Sequence, residues 1–241
     1  GFSKVVSYGN AADIAESELL SYLAHDPETG IIAAYIEGVK DPQHFPAALR
    51  EAAQRKPVII LKAGRTPAGA RATRSHTASL SGRAAVSGAL LRQAGALRAE
   101  TIEELVDLLV AFHFLRPPVG RNVAVIGAGG GGSVLASDEL EAQGLSVPPL
   151  PPEVEARVKE VVGEDWSLIK NPVDTSILFP VGYGFPELQA IFQSMAAHPL
   201  YHILLGDAGE WWLDEPDEVG RYGELIDTYV RVLKGSAKPG A

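Results

Sequence analysis

The chain has 241 residues, of which 46% are hydrophobic, and a formal net charge of −9. This length can bury one large or two ordinary cores. The negative charge, without clusters of Lys and Arg, argues against a nucleic-acid-binding surface. Cysteine is absent, which excludes disulfides and thiol catalysis and suits a cytoplasmic protein. The apolar runs are too short to span a bilayer, so we expect no membrane partner.

Strand and helix signals alternate along the first half of the chain. Strands are predicted at residues 4–8, 31–36, 58–61 and 97–99. Helices are predicted at residues 13–24, 46–55, 83–93 and 102–114, from the spacing of their apolar residues. The strand at 31–36 is apolar throughout, and we therefore expect it to be buried on both faces.

The pattern restarts after a proline-containing linker at residues 116–120. Strands are predicted at 122–126, 145–147 and 201–205, helices at 133–143, 153–162, 186–197 and 219–233, and an extended loop at 171–174. Alternating strands and helices are typical of the α/β class with mostly parallel sheets. We predict two domains, at residues 1–116 and 121–241.

A lone histidine, His76, lies in a predicted loop between the strand at 58–61 and the next helix. Small neighbours leave an imidazole nitrogen open to a reactant, and the hydroxyls of Ser75 and Thr77 can bind phosphate oxygens. Neutral imidazole can act as a covalent nucleophile near neutral pH. The alternative is a surface loop whose histidine has no chemical role.

Residues 127–132 are Gly-Ala-Gly-Gly-Gly-Gly, placed between a strand and a helix. This matches a dinucleotide fingerprint, but the next strand ends in prolines instead of the acid that would bind ribose, which argues against NAD. Glycine amides at a helix N-terminus still favour a phosphate-sized anion. Its predicted ligands are Gly129, Gly130, Gly131, Gly132 and Ser133. A tight turn without a ligand is the alternative.

Glu37 directly follows the strand at 31–36, so its carboxylate is expected at the carboxyl edge of the sheet, where ligand sites lie. There it could accept the Nδ1–H of His76 and leave Nε2 free for attack. The alternative is an exposed strand-end glutamate. Asp13 is interpreted as a helix N-cap. The other histidines lack metal-ligand spacing, and no metal site is expected.

Residues 56–65 followed by Ser75-His76-Thr77 resemble the phosphohistidine region of NDP-forming acyl-CoA synthetases, the superfamily of succinyl-CoA synthetase. Tyr35-Ile36-Glu37-Gly38, residues 7–13 and residues 130–138 are similar to the same family. The resemblance implies two flavodoxin-like domains with mostly parallel sheets and helices on both faces. It also implies that His76 carries a phosphoryl group between acyl phosphate and nucleotide, that Glu37 orients it, and that Gly129–Ser133 faces the phosphoryl group.

The family resemblance also implies missing partners. The complete enzyme would contain a CoA-binding domain and an ATP-grasp module, on the same or a separate chain. It would use CoA and ATP or ADP with Mg²⁺, none of them expected to bind tightly to this chain alone. The family's histidine domain opens with a βα unit before the position of Gly1, so we expect a fragment or one part of a multi-chain enzyme. Homo-oligomerisation stays open.

Two other functions are compatible with the sequence. One is a non-catalytic ligand-sensing module, related to the synthetase-like region of protein acetyltransferases. The other is a stand-alone flavodoxin-like protein that binds an anion or a nucleotide. His76 favours the enzyme, because a sensor does not need a nucleophile.

Overall fold

The computed structural model describes residues 1–64, 66–77, 84–127, 129–178, 184–207 and 218–241. The side chains at 74–77, 84–85, 165–166, 177–178, 218–219 and 221–222 lie outside this description. The chain splits into two compact units, Gly1–Phe114 and Leu115–Ala241. Each unit contains a three-stranded parallel sheet within the described residues, which confirms the predicted α/β fold. The separate roles predicted for residues 1–116 and 121–241 stay predictions.

The first unit alternates helices and strands. Its elements are α1 (Glu16–His25), β1 (Ile32–Ile36), α2 (Phe45–Arg55), β2 (Val58–Lys62), α3 (Pro67–Thr77), α4 (Ala84–Ala94), β3 (Leu97–Ala99) and α5 (Ile102–Phe114). The strand order is β1-β2-β3. Ile36 is paired with Lys62, and Leu61 with Ala99, so the carboxyl ends of all three strands reach the same edge.

The middle strand β2 holds the core of this unit because both of its faces are covered. Val58 and Ile60 pack in a cluster with residues of α1, α2 and α4. Ile59 and Leu61 face the other way and pack with leucines of α5. Successive side chains of a strand point to opposite faces, so this sheet carries helices on both sides, as predicted.

Two strand predictions in this unit are wrong. Residues 4–8 form no strand, since a strand needs a hydrogen-bonded neighbour and no described residue supplies one; Val5 is 81% exposed. In β1, Ile32 and Ile36 are buried but Ala33 and Tyr35 are exposed. The reason is that β1 lies at the edge of the sheet, while α5 packs against β2 and β3.

The segment before α1 is attached to the rest of the unit through Lys4. Its Nζ donates to Asp26 Oδ2 at 2.7 Å and to Glu28 Oε2 at 2.9 Å. The hydrogen bond from Lys4, with a second from the Thr29 hydroxyl, lowers the pKa of the Asp26 carboxyl. Lys4 therefore holds the first residues against the turn that leads into β1.

Acidification should release this segment. The pKa of Asp26 is lower in the folded than in the unfolded state, so its contribution is complete above the unfolded value of about 3.9 and is lost as the pH falls through the folded value. We expect pepsin to cleave the wild-type protein near residues 1–8 faster below about pH 4 than at pH 5. The two rates are compared after correction for the pH dependence of pepsin itself. Asp26→Asn should already show fast cleavage at pH 5. Equal cleavage of both proteins at pH 5 would contradict the assignment.

The second unit also alternates strands and helices. Its elements are β4 (Val123–Gly127), α6 (Gly130–Ala142), α7 (Pro152–Val162), a 3₁₀ helix (Gly163–Leu168), β5 (Val173–Asp174), α8 (Thr175–Leu178), α9 (Phe185–Ala197), β6 (Ile203–Gly206) and α10 (Glu218–Gly235). The strand order is β5-β4-β6. A backbone bridge joins Gly240 to Leu204 on the outer side of β6. Residues 145–147, predicted as a strand, contribute a single bridge from Ser146 to Asn122.

The central strand β4 is buried along its whole length. Ala124 and Ile126 belong to one large apolar cluster that includes Val158 of α7, Phe192 of α9 and Tyr229 of α10. Burial of each such aliphatic or aromatic side chain contributes about 1.5–3 kcal/mol to the free energy of folding. The middle strand is again the element around which the unit packs.

Asn171 extends the hydrogen bonding of β4 with its side chain. Its Oδ1 accepts the Val125 amide at 2.8 Å, and its Nδ2 donates to the carbonyls of Val123 at 2.9 Å and Pro148 at 2.7 Å. The sequence predicted an extended loop at 171–174, which is also similar to a loop near the phosphate site of the family, with a simple Asx-type turn as the alternative. In the structure Asn171 takes the place of a neighbouring strand beside β4, and the strand β5 follows at Val173.

Removal of the Asn171 amide should strongly destabilise the second unit. In Asn171→Ala the buried Val125 amide and Val123 carbonyl lose their partners, at a cost of about 2–4 kcal/mol. Urea denaturation followed by circular dichroism measures this loss. Gln143→Ala is the control, because it removes an exposed hydrogen bond to Glu139 and should change stability by less than about 0.5 kcal/mol. Equal, small effects of both variants would show that Asn171 is not a structural anchor.

No helix within the described ranges is long and apolar enough to cross a membrane.

Candidate functional site

Glu37 lies at the carboxyl edge of the first sheet, directly after β1. Its Oε1 accepts a hydrogen bond of 3.2 Å from the hydroxyl of Tyr35, two residues earlier on the same side of the strand. Glu37 is half-buried and precedes the buried Gly38. The carboxylate is thus held at the edge where parallel α/β sheets bind ligands.

Lys62 is a member of this edge that the sequence analysis missed. It ends β2 opposite Ile36, and its Nζ donates to the backbone carbonyls of Glu37 at 2.5 Å and Ala63 at 2.7 Å. Burial lowers the pKa of the Lys62 ammonium, and the Glu37 carboxylate acts in the opposite direction. The feature of the sequence that could have indicated Lys62 is a lysine at the end of a strand whose other residues are all buried.

The hydroxyl of Tyr8 is affected by two carboxylates, those of Glu16 and Glu37. Burial, followed by the charge and hydrogen bond of Glu16 and the charge of Glu37, raises the pKa of Tyr8 to about 12. Glu16 is itself buried and accepts the Lys40 amide at 3.2 Å. Tyr8 therefore stays protonated at neutral pH and is a hydrogen-bond donor at this edge.

Asp13 is not the N-cap of α1, contrary to the prediction. The helix begins at Glu16, and Ala15 occupies the cap position. The Glu18 carboxylate accepts the Ala15 amide at 2.9 Å, as a glutamate at the third helical position often does. With its amide already bound, the helix start does not need Asp13.

The stretch around His76 is helical instead of forming a loop. Thr66 starts α3 by accepting the Gly69 amide on its hydroxyl at 3.1 Å, and Pro67 favours the first helical position. The helix then continues to Thr77. The side chains of Ser75, His76 and Thr77, and residues 78–83 as a whole, lie outside the described residues, so their predicted roles stay predictions.

The glycine segment of the second unit also lies at a carboxyl edge. Strand β4 ends at Gly127, which pairs with Asp174, and α6 begins at Gly130, inside the run that was predicted as a loop. Ser133 is buried in the first turns of α6. The first amides of a helix have no intrahelical acceptor, so Gly130, Gly131 and Gly132 present donors at this edge. Ala128 lies outside the described residues.

Two carboxylates, those of Asp174 and Asp207, flank this helix start. Asp174 uses Oδ1 to accept the amide and the hydroxyl of Ser176, while its Oδ2 lies 3.0 Å from the position that a β-carbon would take at Gly130. Asp207 Oδ2 lies 3.3 Å from the corresponding position at Gly132. Their negative charges offset part of the positive helix end that would attract an anion.

The glycines of this segment should differ in their tolerance of a methyl group. A β-carbon at Gly127 would lie 2.5 Å from the buried Ser133 Oγ, whereas one at Gly131 would have nothing within 4 Å. Gly127→Ala should therefore cost about 1–3 kcal/mol through overpacking. Gly131→Ala is the matched control and should be neutral or slightly stabilising, since alanine favours a helix over glycine. Thermal melting measures both, and a stable Gly127→Ala variant would contradict the packing described for Ser133.

The sheets and their edges define an open α/β fold of the flavodoxin-like kind. A family model described as "Succinyl-CoA ligase like flavodoxin domain" matches residues 1–112. The alpha subunit of acetate–CoA ligase [ADP-forming] I from Pyrococcus furiosus is 41% identical over 204 residues, which are 85% of this chain and 43% of that protein. The 4-hydroxybutyrate–CoA ligase [ADP-forming] of Nitrosopumilus maritimus is 35% identical over 72% of this chain and 25% of that protein.

Solved structures agree with the sequence relatives. The dinucleotide forming acetyl-coenzyme A synthetase 1 of Ca. Korarchaeum cryptofilum, in complex with phosphate and ADP, has a TM-score of 0.78 and 28% sequence identity. The match covers 100% of this chain and 50% of that one. The chain thus spans about half or less of the proteins that it matches. It belongs to the superfamily of NDP-forming acyl-CoA synthetases and succinyl-CoA synthetase.

Proposed function

We propose that this chain is the phosphoryl-transfer part of an NDP-forming acyl-CoA synthetase. The complete reaction converts acyl-CoA, NDP and phosphate into the acid, CoA and NTP, or runs in reverse. The observation that carries the proposal is the similarity to ADP-forming acid–CoA ligases over up to 85% of the chain. These relatives' names favour the enzyme over the ligand-sensing alternative.

His76 is the proposed phosphoryl carrier. Its Nε2 attacks the phosphorus of an acyl phosphate, the bond between phosphorus and the acyl oxygen breaks, and the carboxylate leaves with the electron pair. In the second half, an NDP oxygen attacks the same phosphorus, the phosphorus–nitrogen bond breaks, and neutral imidazole is regenerated. The histidine thus divides one transfer into two displacements.

Glu37 is the proposed orienter of His76. A carboxylate that accepts the Nδ1–H fixes the tautomer in which Nε2 has a free lone pair. It also stabilises the positive charge that the imidazole gains during attack. The position of Glu37 at the carboxyl edge and its hydrogen bond to Tyr35 support this role.

Ser75, Thr77 and the segment Gly129, Gly130, Gly131, Gly132 and Ser133 are the proposed phosphoryl ligands. Amides at the start of α6 supply donors for phosphoryl oxygens. Asp174 and Asp207 beside them make strong binding of free phosphate unfavourable. Weak ground-state binding suits a site that must pass the group on, because only interactions that strengthen in the transition state accelerate transfer.

The remaining parts of the enzyme are proposed to supply CoA binding and an ATP-grasp module, on the same chain or on a partner. ATP or ADP with Mg²⁺ would be substrates of that complete assembly. Mg²⁺ is proposed to bind together with the nucleotide. A cytoplasmic location belongs to the same proposal.

The test is phosphorylation of the complete assembly. Incubation with ATP and Mg²⁺, followed by mass spectrometry at neutral pH, should show one phosphoryl group on the peptide that contains His76. The adduct should be lost in acid and survive base, as a phosphoramidate does. His76→Ala should lack it, whereas His44→Ala, which removes an exposed histidine, should retain it. An acid-stable adduct on Ser75 or Thr77 would overturn the assignment.

A further inference from the structure

The backbone ladder between β1 and β2 ends one residue before Glu37. The last backbone hydrogen bond of this ladder runs from the Ala63 amide to the Ile36 carbonyl, at 2.9 Å. The next carbonyl, that of Glu37, accepts from the Lys62 ammonium instead, at 2.5 Å. The ammonium therefore continues the ladder past its end and fixes the peptide group that carries the Glu37 side chain.

Glu37 is held at both of its ends. Lys62 binds its backbone carbonyl, and the Tyr35 hydroxyl binds its carboxylate. Gly38 follows directly and has no side chain to restrict rotation. Without Lys62, the peptide after Glu37 would have no described hydrogen-bond donor at this position.

Burying a lysine at this position costs free energy unless a neighbouring group stabilises its charge. Burial disfavours the ammonium form, and two backbone carbonyls use only two of its three protons. A shorter neutral side chain could end β2 without that penalty. The Glu37 carboxylate is the charged neighbour that favours the ammonium.

We propose that Lys62 is a positioning residue for Glu37, which it holds in the direction needed to orient His76. This rests on the proposed function of Glu37 and His76. Lys62 need not contact the phosphoryl group. Its effect is exerted through the peptide and the charge of Glu37.

The test is a double-mutant cycle in the complete assembly, read as the single-turnover rate of phosphoryl transfer from ATP to His76. Lys62→Met should lower this rate about 10- to 100-fold, the size that misplacement of a catalytic group produces, at an unchanged ATP concentration for half-saturation. Combined with Glu37→Gln, it should give almost no further loss, because residues that act through one another are not additive. Lys62→Arg should recover most of the rate.

Lys56 provides the matched control. It donates to two backbone carbonyls, those of Leu23 and Asp26, at the amino end of β2 and so on the opposite edge. Lys56→Met should lower the melting temperature while leaving the transfer rate near that of wild type. If Lys62→Met fails to assemble, Lys62→Gln replaces it in the same cycle.

The outcomes separate this proposal from the function on which it rests. A wild-type rate in Glu37→Gln would remove Glu37 from the mechanism and with it the role of Lys62. A slow Glu37→Gln with a normal Lys62→Met would overturn only the Lys62 proposal. The Lys62 proposal would also be overturned if the losses of the two single variants multiplied in the double variant, or if Lys56→Met lost as much rate as Lys62→Met. Both results would indicate a general effect on stability.

Discussion

Parallel hydrogen bonding to a buried middle strand is the constraint on which each unit depends. Strands β2 and β4 have no face open to water along their apolar residues, as is typical of parallel sheets. Their neighbours run parallel to them, and parallel strands need crossover connections, which here contain helices. All carboxyl ends then meet at one edge. Glu37 and Lys62 in the first unit, and the glycine segment with Asp174 in the second, are placed by this single rule.

Polar side chains complete the hydrogen bonding where these ladders stop. Lys62 binds the carbonyl of Glu37, directly after β1, and Asn171 binds both a carbonyl and an amide of β4. Buried backbone groups without partners cost free energy comparable to a lost hydrogen bond. The need of buried backbone groups for hydrogen-bond partners therefore brings charged and polar side chains to the edge of the sheet, where ligand sites lie.

Local pattern predicted the fold well but not these contacts. The apolar runs at β2 and β4 and the spacing in α5 identified the elements. The strand at 4–8 failed because pairing depends on a distant neighbour. Asn171 and Val123 are 48 residues apart, and Lys62 and Glu37 are 25 apart. Composition carries no signal for such pairs, and Thr66-Pro67 was the unused sign that α3 would precede His76.

The central claim is that the first unit passes a phosphoryl group on to nucleotide. A pulse–chase experiment tests it most directly: the complete assembly is labelled with [γ-³²P]ATP and Mg²⁺, freed of nucleotide, and chased with ADP. The account predicts that label leaves the chain and appears as ATP, at least as fast as the enzyme turns over. Label that stays on the protein, or that is released as inorganic phosphate at the same rate with and without ADP, would contradict it.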